Sequence, residues 1–92
     1  MDDYKIAKKA IQAEGETLQN FIAIEELSEL QQAICHKLRG RGDNVAEEIA
    51  DVRIVLLQLE IMNNCKKESD EIYWQKIKRL ARRTADENNI SV

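Results

Sequence analysis

Ninety-two residues with no proline, three glycines, 43% hydrophobic and 34% charged side chains fit one small helical domain and exclude a strand-rich or disordered chain. A net charge of −3 argues against coating a nucleic-acid polymer, which needs a basic surplus, and no apolar run approaches the ~18 residues of a membrane span. The opening Met1-Asp2-Asp3 lacks the apolar segment of a secretory leader, and Cys35 and Cys65 stand isolated, so the expectation is a cytoplasmic protein with free thiols.

The pattern places a first helix from about Asp2 to Ala13, ended by Gly15. Thr17 is positioned to cap a second helix beginning near Leu18 and stopping between Ala33 and Leu38. Arg39-Gly40-Arg41-Gly42-Asp43 reads as a turn. Asn44 with Glu47 three residues on makes a capping box for a third helix that continues to about Met62. Asn63 to Glu68 is a polar connection, and Ser69-Asp70-Glu71 suits the start of a fourth helix ending near Glu87, with the last five residues fraying. The whole of residues 1–92 is one domain with its core over about 14–87, an all-α, four-helix bundle-like fold.

Val45, Ile49, Val52, Leu56 and Leu59 recur at spacings of three and four, with Ile54, Leu57 and Ile61 on a second side, which makes the third helix central. Ala23, Leu27, Leu30 and Ile34 supply the facing stripe of the second helix, and Ile72, Ile77 and Leu80 with Trp74 that of the fourth. A helix apolar round so much of its circumference exceeds what its neighbours in one short chain can cover. That predicts a homo-oligomer, a dimer or a dimer of dimers.

Against this apolar frame stand five acids: Glu25, Glu26, Glu29, Glu48 and Asp51. Glu26 and Glu29 are related i, i+3 and so share a helix face, as do Glu48 and Asp51, and Glu48 interrupts the stripe of Val45, Val52 and Leu59. Clustered carboxylates in a core position cost several kcal/mol in desolvation and repulsion, and a hard divalent cation removes both penalties, with oxygen-only ligands favouring Mg²⁺. Two other readings remain open on spacing alone. The acids could lie on solvated helix faces or respond to the helix dipole, and Lys37, Arg39 and Arg41 could neutralise them.

The segment Glu-Glu-Leu-Ser-Glu (25–29), an 18-residue spacer, then Glu-Ile-Ala-Asp (48–51) resembles the E-E-x-x-E…E-x-x-D signature of the MazG-like all-α nucleoside triphosphate pyrophosphohydrolases. Gly15 and Gln19 ahead of the first motif and Lys76-Ile77-Lys78-Arg79-Leu80 behind the second extend the similarity over about residues 14–83. The resemblance implies Mg²⁺-dependent hydrolysis of an NTP or dNTP to the monophosphate and pyrophosphate, with Mn²⁺ as a possible substitute. By position it makes Glu26, Glu29, Glu48 and Asp51 the metal ligands and Glu25 the group that orients or deprotonates water.

Between Lys66 and Arg83 there are seven basic residues against three acidic ones. Lys76, Arg79 and Arg83 form one stripe, which reads either as a solvated basic face or as charge-assisted contacts to nucleotide phosphates. The family pattern includes an asparagine with no counterpart here. Gln19, seven residues before Glu26, faces the same way and reads as a contact to a base or ribose edge, or as an ordinary polar surface residue. Trp74 reads as an interface or core anchor before a base-stacking platform. His36 is the single histidine, so the Glu-x-x-His pairs of a di-iron bundle are absent, as are phosphate-binding loops and dinucleotide fingerprints. A non-catalytic helical interaction module on the same fold is the competing reading. The acid pairs also pose a geometric problem: a second helix unbroken to Leu38 would carry its pair well beyond the pair on the third helix, so either that helix stops early, near Cys35, or the helices cross at a steep angle; the early stop is expected, with a longer loop over Lys37 to Asp43.

Overall fold

In the computed structural model, which describes residues 1–88, the Asp2 carboxylate accepts the Lys5 backbone N–H at 3.2 Å and starts α1 (Asp3–Glu14). Gly15 then turns the chain at φ 90°, a conformation that side chains other than glycine disfavour, while its N–H still bonds the Ile11 carbonyl at 2.8 Å. α2 (Glu16–Leu38) begins directly on this glycine, two residues ahead of the expected start, and Thr17 lies inside the helix instead of capping it. α3 (Val45–Met62) and α4 (Lys66–Asn88) complete an all-helical chain, and among the described residues there is no strand. Residues 89–92, four of the five expected to fray, lie outside the described residues.

α2 does not stop near Cys35: it runs unbroken to Leu38. The offset between the acid pairs is absorbed in the connection instead. Gly40 and Gly42, both at positive φ, fold residues 39–44 back along the end of α2, and Lys37 Nζ meets Asp43 Oδ2 at 3.7 Å across the loop. Asn44 occupies the N-cap position of α3, yet its side chain makes no capping bond. It donates to Glu48 Oε1 at 3.3 Å, so the expected capping box with Glu47 does not form. Asn63 ends α3, Asn64 takes the left-handed conformation at φ 49°, and α4 starts at Lys66, earlier than Ser69. Lys66 pairs with Asp70 at 3.2 Å, an i, i+4 contact that extends the first turn upstream.

With a six-residue connection, α2 and α3 form an antiparallel hairpin, and α1 packs against both. The buried apolar side chains are Ala7 and Ile11 from α1, Ala23 and Ala33 from α2, and Val52 and Val55 from α3. Alanines at the crossing let the backbones approach closely and set the acids of α2 near those of α3. α3 is central, as its composition implies, but its apolar circumference is only partly covered: Ile49, Ile54 and Leu56 are exposed. On α2, Leu27 and Ile34 are exposed as well, and on α4 so are Ile72, Trp74 and Leu80, because α4 touches α3 alone among the described residues. No described helix is long and apolar enough to cross a membrane.

Candidate metal centre

The α2–α3 contact brings acids of the two helices together. One carboxylate oxygen from each of Glu26, Glu29 and Glu48 lies within 4.8 Å of the others. Asp51 stands outside that group but lines the same cleft as Glu26, and its charge acts on both Glu26 and Glu48. Glu26 and Glu48 are half-buried and Glu29 is exposed, so the cluster sits at the mouth of the hairpin contact with one side open to water.

Glu26 Oε2 and Glu48 Oε2 are shielded from solvent and accept no hydrogen bond. Shielding from water, followed by repulsion from Glu29, Asp51 and Glu48, pushes the Glu26 carboxyl above the usual value of 4.5. Glu48 is raised as well, by desolvation first and then by Glu29, Asp51 and Glu47. Protein cations do not relieve this: among the described residues the ion pairs are Lys37–Asp43 and Lys66–Asp70, neither of which involves the cluster. An oxygen-only donor set, two oxygens of it without donors, fits a hard divalent cation. Mg²⁺ holds ligands at 2.0–2.1 Å, so oxygens on one ion stand about 3 Å apart when adjacent and about 4.2 Å when opposite, and these three, within 4.8 Å of one another, reach that shell by side-chain rearrangement.

Next to the cluster is a cleft of about 230 Å³ between α1, α2 and α3, lined by Glu14, Gln19, Ile22, Glu26, Asp51 and Gln58 among others. Gln19 is 3% exposed, so it is not a surface residue; its Nε2 donates to Glu14 Oε2 across the Gly15 bend. Gln58 is buried beside it and was not singled out by sequence reasoning. The signal was there, since Gln58 interrupts Val55-Leu56-Leu57 and Leu59, and in the structure Gln58 and Gln19 line the same cleft.

Glu25 is exposed, about 40° round α2 from Glu29, and belongs neither to the carboxylate group nor to the cleft lining. Lys76, Arg79 and Arg83 are exposed on α4, which contributes nothing to the cleft and does not touch α2 among the described residues. Within one chain the structure brings Glu26, Glu29 and Glu48 together, sets Asp51 and Gln19 with Glu26 in the adjoining cleft, and leaves the basic stripe apart. Comparison with models of protein families, with curated proteins and with solved structures gives no match.

Proposed function

We propose that this chain is a Mg²⁺-dependent nucleoside triphosphate pyrophosphohydrolase of the MazG-like all-α kind, cutting an NTP or dNTP into monophosphate and pyrophosphate to cleanse or regulate nucleotide pools in the cytoplasm. The observation that carries the reading is the pair of shielded carboxylate oxygens, Glu26 Oε2 and Glu48 Oε2, without donors inside a cluster of like charge. Such a group is costly unless a cation shares it, and the chain places none of its own there.

Glu26, Glu29 and Glu48, with Asp51 alongside, would hold Mg²⁺ or Mn²⁺. When bound, the ion supplies positive charge to phosphoryl oxygens and lowers the pKa of water. The remaining work falls to side chains. A triphosphate brings about four negative charges, so acids alone would repel it, and Lys76, Arg79 and Arg83 of a second copy in a dimer or dimer of dimers supply opposing charge. Glu25 accepts a proton from water. The buried amides of Gln19 and Gln58 offer donors and acceptors to a base or ribose edge.

A screen of canonical and modified NTPs and dNTPs, with Mg²⁺ and with EDTA, tests the proposal. Pyrophosphate release that depends on Mg²⁺ supports it. Diphosphate with orthophosphate contradicts the choice of bond, and no turnover of any nucleotide favours the interaction-module reading.

A further inference from the structure

We infer that the cleft beside the carboxylate cluster selects a nucleobase with an amino group next to a ring nitrogen, cytosine or adenine, through the Gln58 amide and the Glu14–Gln19 pair, and rejects the keto counterparts uracil and hypoxanthine. The inference rests on the nucleotide reading above and adds which bases the site takes.

Gln58 lies within α3 and is 6% exposed. Among the described residues its side chain has no hydrogen-bond partner in the protein. Its polar atoms are not sealed off as Glu26 Oε2 and Glu48 Oε2 are, so they face the cleft that Gln58 lines. A primary amide carries two donors and a carbonyl acceptor, and burying it unpaired is costly unless a molecule entering the cleft pairs with it. The orientation of Gln19 follows from chemistry. A carboxylate only accepts, so Gln19 turns its Nε2 to Glu14 Oε2 and keeps Oε1 as a free acceptor.

The rest of the lining decides the ligand. Among the described residues no lysine, arginine, hydroxyl or aromatic side chain lines the cleft: its polar wall is carboxylate and amide, and its apolar wall is Ala10, Ile22, Ile54 and Val55. Aliphatic walls accept the faces of a flat ring. A volume of about 230 Å³ is below the ~300 Å³ at which pockets for whole drug-sized molecules begin, so the cleft takes one ring system. Glu26 lines the cleft and belongs to the carboxylate cluster, so the sugar and phosphates of the same molecule lead toward the cluster. A cytosine or adenine edge sets an amino donor beside a ring-nitrogen acceptor, and one glutamine amide meets the two with parallel hydrogen bonds. The second amino hydrogen is then a donor for the acceptors Glu14 and Gln19 Oε1. Uracil pairs with the Gln58 amide only when that amide is turned over, and its O4 then opposes carboxylate and carbonyl oxygens with no proton between them. Gln58 thus supplies affinity, and Glu14 with Gln19 supplies the choice of base.

Rates are compared within pairs that differ in this group, dCTP against dUTP and ATP against ITP, in Mg²⁺. For whichever pair is turned over, kcat/KM should favour the amino member by about tenfold or more, the discrimination of one good bidentate contact. Glu14→Gln, a change at an exposed residue, should bring the two members together, because its amide can donate to the keto oxygen. Equal rates in the wild type, or a preference for dUTP or ITP, overturn the inference and leave pyrophosphate hydrolysis standing. Binding is read apart from turnover by titrating deoxycytidine, deoxyadenosine and deoxyuridine, which carry no phosphate, into isotope-labelled protein. Deoxycytidine or deoxyadenosine should shift the side-chain amide resonances of Gln58 and Gln19, and deoxyuridine should leave them in place. No shift with any nucleoside means that the cleft holds water alone and overturns the inference. Shifts with an amino nucleoside in a protein that turns over no nucleotide keep the selective cleft and sink the proposed reaction.

Discussion

Glu26 on α2 and Glu48 on α3 bring carboxylate oxygens within 4.8 Å of each other, and each keeps one oxygen shielded and without a donor. Two antiparallel helices thus converge on like charge where packed side chains would ordinarily sit. The fold carries this cost in the metal-free state, and a bound cation would offset it.

Binding to the native state alone raises apparent stability, by about 2.7 kcal/mol at a ligand concentration a hundred times Kd. Thermal melts at fixed protein concentration should therefore rise by several degrees between EDTA and saturating Mg²⁺. Glu48→Gln should remove most of that rise, abolish turnover and melt no lower than wild type in EDTA, since a neutral isostere relieves repulsion. Equal melts of wild type in Mg²⁺ and EDTA, nucleotide included, would contradict the assignment.

The raised Glu26 and Glu48 carboxyls give the metal-free protein a defined pH dependence. A carboxyl whose folded pKa exceeds its unfolded value contributes stability that is complete below about 4.5 and is lost as pH rises through the folded value. In EDTA, moving from pH 7 toward 5 should stabilise wild type relative to Glu26→Gln, whose amide does not titrate. A flat difference between the two melts, or one of opposite sign, would show that the site is not strained at neutral pH.

The shared face within each acid pair was legible in the sequence because a helix fixes where residues three apart point, as Glu26–Glu29 and Glu48–Asp51 do; the approach of the two pairs was not, since it depends on how the connection between the helices runs. The break at Gly15 was equally legible, since φ 90° there suits glycine. The end of α2 was not. The expected early stop assumed that the loop returns straight, whereas two positive-φ glycines and the Lys37–Asp43 contact fold it back along the helix. Nor was the start of α4, where Lys66-Lys67-Glu68 reads as a polar connection until the Lys66–Asp70 pair draws it into the helix. Periodicity also marked Ile49 and Leu56 as core, although one chain does not cover them. Apolar spacing reports which face of a helix is apolar; it does not say whether the chain covers it.

Ala33, 3% exposed at the α2–α3 contact, sets the approach of the two helices near the cluster. Ala33→Leu overpacks that contact and should cost about 1–3 kcal/mol, which in a domain of this size lowers the melting temperature by at least about 4 °C. A chemical-denaturation curve checks it, and an unchanged midpoint would mean that the helices separate there without penalty.

Because α4 neither lines the cleft nor touches α2 among the described residues, its basic stripe can reach the acids only from another copy. Glu48→Gln and Arg79→Ala chains, each inactive alone, should recover activity when mixed and allowed to exchange subunits. No recovery in verified mixed dimers would mean that each chain builds its own site without the basic stripe of its partner.

Cation binding at the carboxylate cluster is the claim on which the functional reading depends, and the paramagnetic resonance of Mn²⁺ measures it without reference to turnover. Titrating protein into Mn²⁺ should quench the signal of the free ion, Mg²⁺ should restore it by competition, and Glu26→Gln with Glu48→Gln should bind far more weakly while retaining helical content. Quenching of equal strength in wild type and in the folded double variant, or none in either with nucleotide present, would contradict a metal centre at these residues.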